Sequence, residues 1–193
     1  MSSPGLRERK KQKTRWAIQA HALRLFAEQG YDTTTVEQIA EAAEISPSTF
    51  FRYFKTKEDV IMQDRYDDLM VEAIRTAPPG LSPIETMRLA LVGTFTQIVP
   101  EEAEQVLQRA RLSFSVPALR MRSLDSMLSA IDVLAAPLAE RLGRPADDFR
   151  VQAFVGACVG AIINAVTTWV TTSGDVDILT LLDEALSVVA DGP

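Results

Sequence analysis

The chain has 193 residues, 47% of them hydrophobic and 24% charged, with a formal net charge of −6. That length allows one small domain and one larger one, and a single cysteine with a single histidine excludes both a disulfide framework and a Cys/His metal cluster. The charge is divided, since residues 1–57 hold ten Lys plus Arg against six Asp plus Glu and residues 58–193 hold ten against twenty.

Residues 1–12 read as a flexible basic arm, in which Arg7 to Lys11 is a solvated charge run. A first helix is expected from about Lys13 to Gln29, with Ile18, Ala22, Leu25 and Phe26 on its apolar face and His21 off it. Gly30 stops that helix as the residue after the C-cap. Val36, Ile39, Ala40 and Ala43 form the stripe of a short second helix. Thr34 with Glu37, or Thr35 with Gln38, gives it a capping box. Glu44 and Ile45 make a turn. Ser46-Pro47 then supplies an N-cap oxygen followed by the residue whose missing N–H is harmless at the first helical position.

Phe50 and Phe54 are four apart and share the buried face of this third helix, with Ile45 sealing them from the turn. Ser48, Thr49, Phe51, Arg52 and Tyr53 are thereby turned outward. A two-turn helix with a small, hydroxyl-rich N-terminal end suits a major groove, where its first residues meet base edges. Thr56 caps a fourth helix, expected from Lys57 through Thr76 with Val60, Ile61, Leu69, Val71 and Ile74 inside, and Ala77-Pro78-Pro79-Gly80 ends it. This helix is expected to join the two parts of the chain.

The segments LRLFAEQGYDTTTVEQIAEAA and ISPSTFFRYFKTKEDV resemble the DNA-binding half of the tetracycline-repressor (TetR) family over residues 13 to 60. The resemblance implies Thr35 and Lys57 on phosphates, Ser46, Pro47, Ser48 and Thr49 near bases or backbone, and Phe51 and Tyr53 at the two aromatic positions. The family usually has Tyr where Phe51 stands, so one phosphate hydrogen bond is missing and more falls to Tyr53. It also usually has Gly where Glu44 stands, so Glu44 is expected to carry backbone strain or the turn to differ. The charge split agrees independently: all five lysines, at 10, 11, 13, 55 and 57, lie in the first part, a phosphate-binding footprint on an otherwise acidic protein. The DNA-binding domain is placed at 13–57 and an effector-binding and dimerisation domain at 58–193.

Strand signals are nearly absent, so the fold class is all-α. Ser82-Pro83 opens a helix to about Val99, Pro100-Glu101 another to about Ser115, and Pro117 a third towards Gly143 with a possible kink at Pro137. Pro145 starts a long helix to about Ser173, and Asp175 the last, to about Ala190. Residues 151–174 contain no charge and are long enough to span a bilayer. Gln152, Asn164 and the threonines dilute that reading, no basic flank adjoins it, and burial explains an apolar helix equally well. Gly156, Ala157, Gly160 and Ala161 permit close helix approach, and the family resemblance implies a four-helix interface with a second subunit. The expectation is therefore a homodimer with no membrane span. No cationic segment precedes a hydrophobic signal core, so a cytoplasmic location is expected.

An effector site is expected among the helices between about 84 and 170. Candidate linings are Phe95, Phe114 and Met127, with Met87, Leu91, Val99, Leu107, Met121, Leu124, Ile131, Asn164 and Trp169 as further apolar or polar positions. Arg109, Arg111, Arg120 and Arg122 lie between Glu104 and Asp125 with no acid among them. They are either ion-pair partners of carboxylates elsewhere or an anion site at the pocket mouth, since guanidinium binds phosphate or carboxylate as a fork. The stretch RARLSFSVPALRMRS and the later LAERLGRP are similar to the C-terminal domain of mycofactocin-system TetR regulators, which implies an acyl-coenzyme A effector. No cofactor is expected. Nor is an enzyme, because the sequence offers no phosphate loop, metal spacing or nucleophile arrangement. A ligand-controlled dimeric repressor of a palindromic double-stranded operator accounts for all these features, and the competing class is a helical ligand-binding adaptor that does not read DNA sequence.

Overall fold

The computed structural model describes residues 6–62 and 66–192, with the backbone alone at 6–9, 12, 67 and 97–102. Among the described residues it contains nine helices and no strand: α1 (Leu6–Gln29), α2 (Val36–Ala42), α3 (Pro47–Tyr53), α4 (Lys57–Met62), α5 (Tyr66–Thr76), α6 (Pro83–Ser115), α7 (Pro117–Arg141), α8 (Phe149–Thr171) and α9 (Ile178–Asp191). The chain divides into two compact units, residues 1–63 and 64–193.

In the first unit α1 packs on α2 and α4, and α2 on α3. Of the arm expected at 1–12, residues 1–5 lie outside the described residues, and from Leu6 the backbone is already helical. The sequence LRERKKQ consists of good helix formers, so nothing in it stops the helix at Lys13. Gly30 ends α1 at φ 89°, its amide donating to the Phe26 carbonyl at 3.1 Å. The core holds Ile18, Ala22, Leu23, Phe26, Ile39, Ala40, Phe50, Phe54, Val60 and Ile61. Leu23 takes the buried place expected for Leu25, which is only half-buried. α4 belongs to this unit, so the expected boundary at 57/58 falls instead beyond Met62. The physical reason is that Val60 and Ile61 are buried and that Gln19 Nε2 donates to the Val60 carbonyl at 3.0 Å. The helix expected over Lys57–Thr76 corresponds to α4 and α5, and residues 63–65 between them lie outside the described residues.

In the second unit α5 packs on α6 and α7, α6 also meets α7, α8 and α9, and α8 pairs with α9. Met87, Leu91, Leu134, Leu138, Val155, Cys158, Trp169, Leu182 and Leu186 are among its buried residues. The break expected at Pro100 does not occur, and α6 runs continuously from Pro83 to Ser115. A proline removes one amide donor and crowds the carbonyl four residues back, and contacts of α6 with four neighbouring helices outweigh that local penalty. α7 likewise continues through the buried Pro137. α8 starts at Phe149, not Pro145, because the Asp148 carboxylate caps it, accepting from the amides of Arg150 at 2.8 Å and Val151 at 3.4 Å. Asp177 caps α9 through the Thr180 amide at 2.9 Å, which moves that start to Ile178.

Candidate functional site

The turn between α2 and α3 is closed by two reversed bonds: the Ile45 amide to the Ala40 carbonyl at 2.9 Å and the Glu44 amide to Glu41 at 3.0 Å. That pairing is the Schellman arrangement, which requires a left-handed residue after the C-cap. Glu44 occupies it at φ 54°. The strain expected from a side chain there is present, and the turn keeps the geometry a glycine would give it.

Ser46 caps α3, its Oγ accepting from the Thr49 amide at 3.1 Å. The same hydroxyl donates to Thr49 Oγ1 at 3.0 Å, and Ser48 Oγ lies 2.9 Å from it. A hydroxyl has one proton, so Ser48 is the donor in the last contact and the Thr49 proton is left for an outside acceptor. Beneath this cluster Phe50 and Phe54 are fully buried with ring centroids 5.8 Å apart. Burying each ring contributes about 1.5–3 kcal/mol. The opposite face is exposed at Ser46, Pro47, Ser48, Arg52 and Phe51, the last 52% accessible, while Thr49 and Tyr53 are half-exposed. The Arg52 guanidinium lies 5.5 Å from the Tyr53 ring centroid, and that of Arg15 lies 5.2 Å from Phe54.

Of the two capping registers open at the start of α2, the structure takes Thr35 with Gln38: the Gln38 amide donates to Thr35 Oγ1 at 3.3 Å and Gln38 Oε1 accepts from the Thr35 amide at 2.9 Å. Thr35 is exposed, and its hydroxyl oxygen accepts from the Gln38 amide of the helix it caps. Thr34 is buried instead and donates to the Gly30 carbonyl at 2.7 Å. Thr56 caps α4 as expected, with Asp59 closing the box by accepting from the Lys55 and Thr56 amides at 3.0 and 3.1 Å.

Lys57 is half-buried, and its ammonium donates to the backbone carbonyls of Tyr31 at 2.9 Å and Thr34 at 3.2 Å, with that of Asp32 at 3.5 Å. It also lies 4.2 Å from the Tyr31 ring centroid. The Tyr31 hydroxyl donates to Glu58 Oε1. Burial pushes the Glu58 carboxyl up, but that hydroxyl, a backbone amide, Thr56 and the neighbouring Lys57 charge together bring it below its ordinary value. Nothing local in the sequence marks Tyr31, Gln19 and Glu58, because their partners are far along the chain.

In the second unit Arg109 is half-buried with its guanidinium 5.6 Å from the Tyr66 ring centroid, and Tyr66 lies 5.6 Å from Phe95. Tyr66 thus links two of the candidate effector residues, and no sequence signal marked it. Phe95 is largely buried, Met127 packs half-buried against the core, and Phe114 is half-buried on α6. Met87, Leu91 and Trp169 are core, Met121 and Leu124 are exposed, and the Val99 side chain lies outside the described residues. Arg111, Arg120 and Arg122 are exposed.

α8 is long and apolar enough to cross a membrane, the one such helix among the described residues. Its burial is one-sided. Val151, Val155, Cys158, Val159, Ala165 and Trp169 face the core, whereas Ala153, Ala157, Gly160, Asn164, Thr167 and Thr171 recur at spacings of four and three on an exposed stripe. On α9 Thr180, Glu184 and Val188 are exposed at spacings of four.

Residues 18–62 match the family described as bacterial regulatory proteins, tetR family, and residues 81–193 match the MftR C-terminal domain. The chain is 34% identical over 195 residues to the HTH-type transcriptional regulator TcmR of Streptomyces glaucescens, covering 97% of this chain and 84% of that one. Among solved structures it is similar in fold to Thermus thermophilus FadR in complex with lauroyl-CoA, with a TM-score of 0.57 and 24% identity over 92% of this chain and 94% of that one. It is also similar to Bacillus subtilis FadR in complex with stearoyl-CoA, with a TM-score of 0.60 and 21% identity over 92% and 98% of the two chains.

Proposed function

The chain belongs to the tetR family of bacterial regulatory proteins, and from that premise we propose that it is a homodimeric repressor released from a palindromic operator by an amphipathic anionic effector. It is a DNA-binding transcriptional regulator with a helix-turn-helix in its first unit. The observation that carries the reading is the α3 surface: Ser46, Ser48 and Thr49 in one hydrogen-bonded cluster, with Phe51 exposed, on a helix anchored by two buried phenylalanines.

In this reading α3 enters the major groove and Thr49 meets a base edge, with Ser46, Pro47 and Ser48 against bases or backbone and Phe51 and Tyr53 packed on the sugar-phosphate wall. Thr35 donates its hydroxyl proton to a phosphate, and the basic residues near the start of the chain add counterion release. A second copy covers the exposed stripe of α8 and the adjoining face of α9. Two reading heads related by a two-fold axis then require an inverted repeat.

The effector reading places an apolar tail by Phe95, Phe114 and Met127 and a charged end at Arg109, whose guanidinium is already held against Tyr66. The long-chain acyl thioesters held by the two FadR structures support this chemical class. Such a ligand shifts operator binding only by its differential affinity for the DNA-competent and incompetent states. The test is to titrate long-chain acyl-coenzyme A into a preformed operator complex, with free acid and coenzyme A as controls. Release by the thioester that Arg109→Gln abolishes supports the reading, and an operator complex unaffected by the thioester contradicts it.

A further inference from the structure

We propose that Lys57 is a positioning residue for operator binding, holding the turn between α1 and α2 from inside, and not itself a phosphate contact. This rests on the first unit binding DNA. An ammonium has three N–H donors, and here they face three backbone carbonyls of one turn: Tyr31 at 2.9 Å, Thr34 at 3.2 Å and Asp32 at 3.5 Å. The positive charge is further spent on the Tyr31 ring, 4.2 Å away. Two donors are held at 2.9 and 3.2 Å and the third faces Asp32 at the outer limit of hydrogen bonding, so the ammonium is engaged from the turn between α1 and α2.

The carbonyl of Thr34 matters most for function. It belongs to the same rigid peptide plane as the Thr35 amide, and that amide donates to Gln38 Oε1 at 2.9 Å. Lys57 therefore holds one edge of the plane and Gln38 the other, fixing the orientation of Thr35 at the start of α2. From the next position Glu58 accepts the Tyr31 hydroxyl. Two consecutive residues of α4 thus grip Tyr31 at its backbone and at its ring tip, while the Tyr31 ring packs 5.2 Å from Phe26. A compact ammonium fits among converging carbonyls, whereas a planar guanidinium does not.

The experiment compares full-length wild type, Lys57→Arg and Lys57→Met on the inverted repeat that the wild type selects from random duplex. Amide exchange at residues 35–38 is measured on the same proteins without DNA. Positioning predicts that both variants lose affinity by about tenfold or more, as for loss of a charged hydrogen-bond set, that the Met variant keeps the wild-type salt slope, and that exchange at 35–38 accelerates in both. A phosphate contact predicts instead that Lys57→Met lowers the slope by about 0.9 and that Lys57→Arg binds nearly as wild type. Either of those results, or unchanged exchange at 35–38, overturns the proposal. Because the exchange measurement needs no DNA, a fault in the DNA-binding reading and a fault in the clamp give different results.

Discussion

Ser46 and Thr49 exchange two hydrogen bonds: the Thr49 amide donates to Ser46 Oγ at 3.1 Å, and Ser46 Oγ donates to Thr49 Oγ1 at 3.0 Å. The cap of α3 and the orientation of its foremost hydroxyl are therefore one arrangement. Thr49→Val keeps the volume but removes the hydroxyl. It is expected to weaken binding to the selected operator while leaving random duplex almost unaffected, narrowing the ratio by about 1–3 kcal/mol. Competition binding with both duplexes checks this, and an equal loss on both would remove Thr49 from the base readers.

Glu44 holds a left-handed backbone that glycine adopts without strain. Replacing it removes a penalty of about 1 kcal/mol while keeping the Ile45–Ala40 and Glu44–Glu41 bonds. Glu44→Gly is expected to raise the melting temperature and leave operator affinity within a factor of about two. A lower melting temperature would show that the Glu44 side chain contributes more than its backbone costs.

Gly160 is exposed on α8, and a Cβ built there meets no atom within 4 Å. A Cβ at this position therefore strains nothing in the single chain, and a leucine extends it from the exposed stripe into the path of whatever approaches from outside. Gly160→Leu is expected to sediment as a helical monomer with operator affinity reduced by about a hundredfold or more, because one head alone gains no second half-site. A Gly160→Leu protein that remains dimeric would place the interface elsewhere.

Burial pushes the Cys158 thiol up to about 12, with a hydrogen bond to the backbone only partly opposing it. The thiolate is the reactive form, so at pH 8 the folded protein is expected to resist iodoacetamide and to react promptly in denaturant. Because the folded value lies above the ordinary 9.0, stability is unaffected by this thiol below pH 9 and falls as the pH rises from 9 towards 12, where only the unfolded chain can release the proton. Rapid labelling of the folded protein would contradict the packing of α8 around Cys158.

The helix-turn-helix was legible because its signals are local. Ser46-Pro47, the Phe50 and Phe54 spacing, the Thr56 cap and the misfit of Glu44 each lie within a few residues of the geometry they dictate. The effects missed act across the chain. Lys57 reaches a carbonyl 26 positions earlier, and Gln19 bonds to Val60, 41 positions away. Pro100 misled because a local breaker yields to packing along a long helix. The uncharged run 151–174 showed that α8 meets apolar surroundings, but not that one stripe of it stays exposed outside the chain's own core. Candidate effector residues were the least legible, since a methionine or phenylalanine at helical spacing fits core and pocket alike.

Selection from random duplex by the purified full-length protein tests the central claim most directly. Two copies reading through α3 predict enrichment of an inverted repeat whose half-sites recur at a fixed spacing, and binding to it whose logarithm falls steeply and linearly with the logarithm of salt concentration. Failure to enrich any sequence over the starting pool, with equal affinity for selected and random duplex, would contradict the assignment of α3 as the reading element.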